Sequence, residues 1–374
     1  MAEYDTPTAE SGAHGDATGF AHVSVMLDEI VEVLSEVPDG IVVDATLGGA
    51  GHAAALLAAN DGISILGLDR DEMALAAASA RLAAHGDRVA VRHTRFDGLA
   101  GAVRSLGAER LSGALFDLGV SSPQLDLADR GFSFRNDGPL DMRMDRSQGR
   151  TAADLVNTSD ERTLAGILQR NGDERHARRI ARAIVAARPI STTGELAEIV
   201  RDAVPAAARR HAGHPARKTF QAIRIEINDE LAMLEGALTQ ALDLLAPKGR
   251  CAVLSYHSGE DRIVKHVFRN AAGEAPRPRP DLPPPPGHEA SVSLLWRGAR
   301  RPSDAEVERN PRAEAARFRA VEKLGAVACW SPPRPSAALR PGPPARRSHG
   351  RRTFVSSARI IGSGPSACSV PRWS

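Results

Sequence analysis

Four short apolar runs, each closed by an acid or a turn, organise the first third of the chain. Residues 41–43, 63–68 and 114–120 are mostly apolar, the pattern of strands buried on both faces, and 89–96 opens on Val-Ala-Val and closes on Phe96 as a third strand in the series. Between them, residues 52–60 and the alanine-rich stretch up to about Ala84 read as helices. Strand and helix in alternation predict an α/β fold with a parallel, doubly wound sheet. A short amphipathic helix carrying Val25, Ile30, Val33 and Leu34 leads into the first strand through the turn Pro38-Asp39-Gly40. Beyond residue 124 the alternation stops. Helices are predicted at 161–169, 174–187 and 193–204, so 124–215 reads as a helical insertion. One long helix, 218–245, then places Phe220, Ile223, Ile227, Leu231, Leu234, Leu238, Leu242 and Leu245 on a single stripe. Pro247 and Gly249 end it, residues 251–256 form a fifth strand, and 292–296 fit an edge strand. Residues 1–20 and the Pro/Arg-rich tail 325–374 read as disordered, and 274–290, with Pro283 to Pro286 in a row, as a stiff linker. The expected plan is a sheet domain in two parts, 21–123 and 216–324, split by the 124–215 insertion.

Composition changes this picture in two places. The chain has 374 residues and a formal charge of +2, but the tail holds eight arginines and no acid, leaving 40 basic against 46 acidic side chains before it. Any anionic partner must therefore meet a local basic patch. Three cysteines, with no metal-ligand spacing, fit a reducing compartment and give no reason to expect a metal. No signal-like start and no run near the eighteen or so apolar residues of a membrane span point to a soluble, cytoplasmic protein with no membrane partner. Oligomeric state is not legible.

Candidate chemistry sits at the ends of the predicted strands, where a doubly wound sheet binds ligands. The first strand ends at Asp44 and opens into Gly48-Gly49-Ala50-Gly51-His52, and the second ends at Asp69, an acid placed to accept hydrogen bonds from ribose hydroxyls. Gly49 to Ala54 also fits the dinucleotide pattern G-x-G-x-x-A. Asp44 argues against that ligand, because a carboxylate beside a pyrophosphate is repulsive; it suits a ligand with a cationic amino-acid end, such as S-adenosylmethionine. At the mouth of the fourth strand, Asp117 to Gln124 offers hydrogen-bond acceptors for an exocyclic amine whose lone pair must turn toward a methyl donor. At the mouth of the fifth, residues 256–262 bring His, Ser and Asp together without a nucleophile elbow, so they read as substrate-orienting or mutually paired groups. Residues 130–145 mix glycine, aromatics and arginine, a composition that holds phosphates and stacks on bases and equally suits a self-packed loop. Arg175, Arg178, Arg179 and Arg182 recur at helical spacing and form either a phosphate-binding face or a plain solvated one.

Several of these stretches, taken in order, resemble the ribosomal RNA small subunit methyltransferase H family, which methylates N4 of a cytidine in 16S ribosomal RNA. They are His22 to Glu29, the turn ending Gly51-His52, Asp117 to Asp126, Gly131 to Phe134 with Asp137 to Asp145, and residues 173–185. Thr219 to Ile225, Ser255 to Lys265 and Asn310 to Ala313 complete the set, so the resemblance covers about residues 20–324. It implies a class I S-adenosylmethionine-dependent methyltransferase sheet with a helical insertion, and the small ribosomal subunit as partner. Cofactor contacts fall on Ala50, Gly51, His52, Asp69, Phe96, Asp117 and Gln124, with Phe96 against the adenine. Asp117, Ser121 and Ser122 are expected beside the target amine, with His257 and Asp261 as further catalytic candidates, and Arg135, Arg175, Arg178, Arg179 and Arg182 on the RNA. The chain departs from the family at Ala50, where glycine is usual, and at Gly259, where leucine is usual. A DNA amino-methyltransferase, a non-catalytic RNA-binding scaffold and a nicotinamide-dependent oxidoreductase are the alternatives.

Overall fold

The computed structural model describes residues 24–206, 214–274 and 289–325. The 1–20 arm, most of the 274–290 linker and all of the 325–374 tail after Gly325 lie outside the described residues. The order of elements begins α1 (Leu27–Leu34), β1 (Gly40–Asp44), α2 (Gly51–Ala59), β2 (Ile63–Asp69), α3 (Glu72–Leu82), β3 (Val89–His93), α4 (Leu99–Ser105) and β4 (Leu111–Asp117). It continues through α5 (Ser122–Asp126), α6 (Ala152–Thr158), α7 (Glu161–Gly172), α8 (Ala177–Ala186), α9 (Thr193–Ala203), α10 (Arg217–Ile227) and α11 (Glu230–Leu244). β5 (Leu245–Ser255), α12 (Ser258–Ala271), β6 (Val292–Leu294), α13 (Asp304–Arg309) and β7 (Arg317–Lys323) complete it. No described helix is long and apolar enough to cross a membrane.

The strands form one seven-stranded sheet in the order β3-β2-β1-β4-β5-β7-β6. The first five are parallel, as their apolar runs predict, and β6 lies at an edge. β7 was not predicted. It runs antiparallel to both β5 and β6, so the sheet is mixed rather than parallel throughout. Its sequence, Arg-Phe-Arg-Ala-Val-Glu-Lys, carries four charged residues, and it enters the sheet because Phe318, Ala320 and Val321 are buried between neighbours. β5 is also longer than expected: its ladder starts at Leu245, and the register shift between Leu111 and Gly113 absorbs Pro247 and Gly249.

Both faces of the sheet are covered. Ile30, Leu34, Leu56 and Leu57 pack from α1 and α2 on Val42, Ile65 and Leu115, while Leu99, Leu234, Leu238 and Phe268 pack from α4, α11 and α12 on Val43, Leu66 and Phe116. A third core holds the helical block, with Leu155, Leu168, Ile180, Ile184, Leu196 and Val200 in it.

The single helix expected over 218–245 is two helices. Asn228 ends α10 and Asp229 has φ of 51°, a left-handed conformation that Asn and Asp tolerate better than most residues. The two halves of the stripe also serve different cores. Phe220 and Ile223 belong to the helical block, and Leu234, Leu238 and Leu242 to the sheet. The block thus runs on to Ile227, past its expected end at 215. Asn228 is buried and makes the break worthwhile: its side chain donates to Met142 O (2.8 Å) and Arg224 O (2.9 Å) and accepts from Met144 N (2.9 Å). These bonds tie the 140–144 loop to the hinge between the two cores.

Candidate active site at the carboxyl edge of the sheet

The turn after β1 is held by acids and by its own left-handed residues. Gly48 has φ of 50° and Ala50 φ of 59°. The first suits glycine, whereas Ala50 keeps a conformation that costs an L-residue about 1 kcal/mol or more. Gly48 N–H donates to Asp69 Oδ2 (2.8 Å) and Asp71 N–H to Asp69 Oδ1 (2.9 Å), so the acid at the end of β2 locks the glycine turn to the start of α3. Burial raises the Asp69 carboxyl above its ordinary range, against the pull of those two amides.

Asp44 is 2% exposed. Burial pushes its carboxyl up to about 7, with Asp117 and Asp69 adding like-charge repulsion and His52 and the Thr46 amide opposing. His52, in the first turn of α2, places Nε2 2.9 Å from Val25 O and Nδ1 3.7 Å from Asp117 Oδ2. Thr46 joins the two strand ends, its hydroxyl accepting from Asp117 N–H at 2.7 Å. Asp44, Asp69, Asp117 and His52 thus face one turn in which a Cβ on Gly49 would meet no atom within 4 Å. This is a fit for S-adenosylmethionine: open backbone, a buried acid short of cations, and an acid for the ribose. Phe96 follows β3, buried, and meets Phe116 edge-on at 6.2 Å.

The other predicted residues fall into distinct settings. Ser121 caps α5, its N–H donating to Gln124 Oε1 (3.1 Å). Gln124 is buried and spends its amide on Asp71 Oδ2 (3.0 Å). Asp71 also pairs with the buried guanidinium of Arg130 (2.8 Å), which reaches on to the carbonyls of Arg143 and Met144. Gln124 is therefore a strut between α5 and α3. The Ser122 hydroxyl is taken by Arg312, which also binds Asp126 at 2.6 Å.

His257 caps α12, with Nδ1 accepting from Gly259 N–H (3.2 Å) and Nε2 3.1 Å from Glu260 Oε1. Burial opposes ionisation of Glu260, but His257, Arg224 and the Tyr256 amide outweigh it and hold the carboxyl below its ordinary range. The space a side chain on Gly259 would need is closed by His257 and Leu231, within 3.0 and 3.2 Å of an ideal Cβ. Asp261 is bound by Arg319 (2.7 Å) and Arg317 (3.5 Å) of β7. His257 and Asp261 thus organise the start of α12.

Arg135, Arg175, Arg178, Arg179 and Arg182 are all exposed. On α8 the opposite face buries Ile180, Ala181 and Ile184, so the arginines line the outer side, with Arg182 3.4 Å from Glu161. Residues not singled out individually from sequence also lie around the candidate site: Thr46, Asp71, Arg130, Asn228 and Tyr256, whose hydroxyl donates to Asp117 Oδ1 at 2.7 Å.

Comparison with known proteins identifies the family. The profile of the MraW methylase family matches residues 19–324. Ribosomal RNA small subunit methyltransferase H of Thermobifida fusca is 50% identical over 317 residues, 83% of this chain and 96% of that protein. The protein of the same name from Mycobacterium sp. (strain KMS) is 50% identical over 323 residues, 84% of this chain and 87% of its own. A solved rRNA methylase from Streptococcus thermophilus aligns over 82% of this chain and 100% of its own at 15% identity, with a TM-score of 0.38, too remote to bear on the site. With the match spanning the whole described sheet and helical block, this chain belongs to the MraW methylase family and is an S-adenosylmethionine-dependent methyltransferase.

Proposed function

We propose that the chain transfers a methyl group from S-adenosylmethionine to the exocyclic N4 of a cytidine in 16S ribosomal RNA of the small subunit. The observation that carries this reading is the Asp117 carboxylate, 22% exposed at the mouth of β4 and tied through Thr46 to the donor turn. When bound, S-adenosylmethionine supplies an electrophilic methyl group on a sulfonium centre. Asp117 would accept a hydrogen bond from the cytosine amine, turning the nitrogen lone pair out of conjugation and toward that methyl. As the N–C bond forms the S–C bond breaks, the donor leaves as neutral S-adenosylhomocysteine, and the amine proton departs after transfer. Asp69 faces the ribose, with acceptor capacity beyond the two amides it already serves. Asp44 meets the cationic amino-acid end. The base must leave its stack to reach the site, and positioning supplies most of the rate. The exposed arginines of α8 with Arg135 hold phosphates without reading sequence. The reading is tested by incubating the protein with labelled S-adenosylmethionine and 30S subunits, free 16S RNA or duplex DNA. Label recovered as N4-methylcytidine from the ribosomal RNA is expected; label in DNA, or on another base, overturns it.

Asp44 makes donor affinity pH-dependent. Its carboxyl, at about 7 in the donor-free chain, is favoured as the anion by a neighbouring ammonium, so binding releases a proton at pH 6. Affinity should rise about fivefold from pH 6 to 7 and level off above it, and Asp44→Asn should abolish most of the rise. Calorimetry between pH 6 and 8 in buffers of different ionisation heat measures both. Without donor the sign reverses for stability. A carboxyl raised in the folded chain contributes stability below the unfolded value, near 4, and loses it as pH rises through about 7.

Replacing Arg178 and Arg179 together with alanine should weaken RNA binding and reduce the slope of log affinity against log salt by about 1.5, since each lost phosphate contact removes about 0.7–0.9. An unchanged slope from filter binding at several salt concentrations would leave that helix face merely solvated.

A further inference from the structure

We propose that Tyr256 is a positioning residue for methyl transfer, acting through Asp117; this rests on the reading of Asp117 as the acceptor for the target amine. Tyr256 stands immediately beyond β5, two residues after Leu254, which is the register partner of Asp117. Leu118 N–H donates to Leu254 O at 3.0 Å, so the two strand ends are held side by side. From there the phenol reaches across and donates to Asp117 Oδ1 at 2.7 Å, the length of a charge-assisted O–H···O bond.

Two further features show that the surroundings are shaped for this contact. Tyr256 N–H donates to Glu260 Oε2 at 2.8 Å, which fixes the backbone that carries the ring. The ring lies against Gly119, where an ideal Cβ would come 3.3 Å from Cδ2, and φ there is 110°. Only glycine permits both the backbone conformation and the close approach. The loop following Asp117 is therefore built around the Tyr256 ring.

The phenol stays protonated and so remains a donor across the working pH range, because burial and the Asp117 charge both oppose its ionisation. As a donor it does two things to the carboxylate. It selects one orientation of the Asp117 side chain, with His52 Nδ1 3.7 Å from the other oxygen. It also stabilises the ionised form, the one that can accept from an amine. A carboxylate has about four acceptor sites, and the phenol occupies one of them.

The test uses the full-length chain with Tyr256→Phe, which keeps the ring against Gly119 and removes only the hydroxyl. Turnover on 30S subunits should fall about tenfold to a hundredfold, the loss expected of one hydrogen bond to a charged group. KM for the subunit and donor affinity by calorimetry should stay within about twofold, and the acid limb of the pH–rate profile should move to higher pH. A merely structural role changes KM or thermal stability and leaves the acid limb in place. In an Asp117→Asn background the hydroxyl should have little left to do, so Tyr256→Phe should add less than about threefold; fully additive losses overturn the proposal. An unchanged turnover and pH profile overturn it as well. If the wild-type chain instead labels another nucleobase amine, the cytidine reading fails, and the Tyr256 effect is read on that product.

Discussion

Asp117→Asn is expected to lower turnover by about three orders of magnitude, within the range seen when a positioned proton acceptor or charge-stabilising group is removed. The change is nearly isosteric and should leave the fold intact. Asp117 is the last residue of β4, its N–H is held by Thr46, and its strand is paired on both sides. Chemistry is what changes. An amide has one acceptor oxygen and a donor group where the second carboxylate oxygen was. Tyr256 can still donate to the oxygen, so the amine meets either a neutral, weaker acceptor already shared with the phenol or an opposing N–H. Single-turnover methylation of 30S subunits at saturating donor measures the loss, with donor binding followed separately by calorimetry. Turnover within tenfold of the wild type would remove Asp117 from the chemistry.

Asp69→Ala should weaken S-adenosylmethionine binding by a hundredfold or more. Two effects act together. The ribose loses its acceptor, and bonds to a charged group contribute about 1.5–3 kcal/mol each. The glycine turn also loses its lock, because Gly48 N–H and Asp71 N–H both donate to this carboxylate. Asp69→Asn separates the effects: it keeps the shape and one acceptor oxygen, and should lose less. Circular dichroism should show both variants folded, since the strand core around Leu66 and Leu68 is untouched. Unchanged donor affinity in the alanine variant would exclude the ribose role.

Much of the proposed site is legible because it is local in sequence. Asp44, the glycine turn and Asp69 stand where apolar runs stop, and a parallel sheet brings all such strand ends to one edge. Asp117 follows by the same rule. What stayed hidden depends on partners far apart in the chain. Asp261 looked catalytic beside His257, but its partners Arg317 and Arg319 lie on β7, a strand too charged to announce itself. Gln124, expected to contact the cofactor, also donates to Asp71, which pairs with Arg130, and neither bond could be read from its local sequence. Tyr256 gave no signal of its own, since an aromatic at a strand end is ordinarily core.

The apolar pattern by itself determined the five parallel strands, the covering helices and the edge that carries the acids, because burial on both faces imposes continuous apolar runs that neighbours in sequence reveal. Only the tertiary structure decided which residues on that edge meet. The stripe from Phe220 to Leu245 keeps one period while serving two cores, and nothing in the period marks the break at Asn228. Hydrogen bonds such as Tyr256 to Asp117 join residues 139 positions apart. Such contacts are set by strand order and register, which long-range packing selects and local periodicity does not encode.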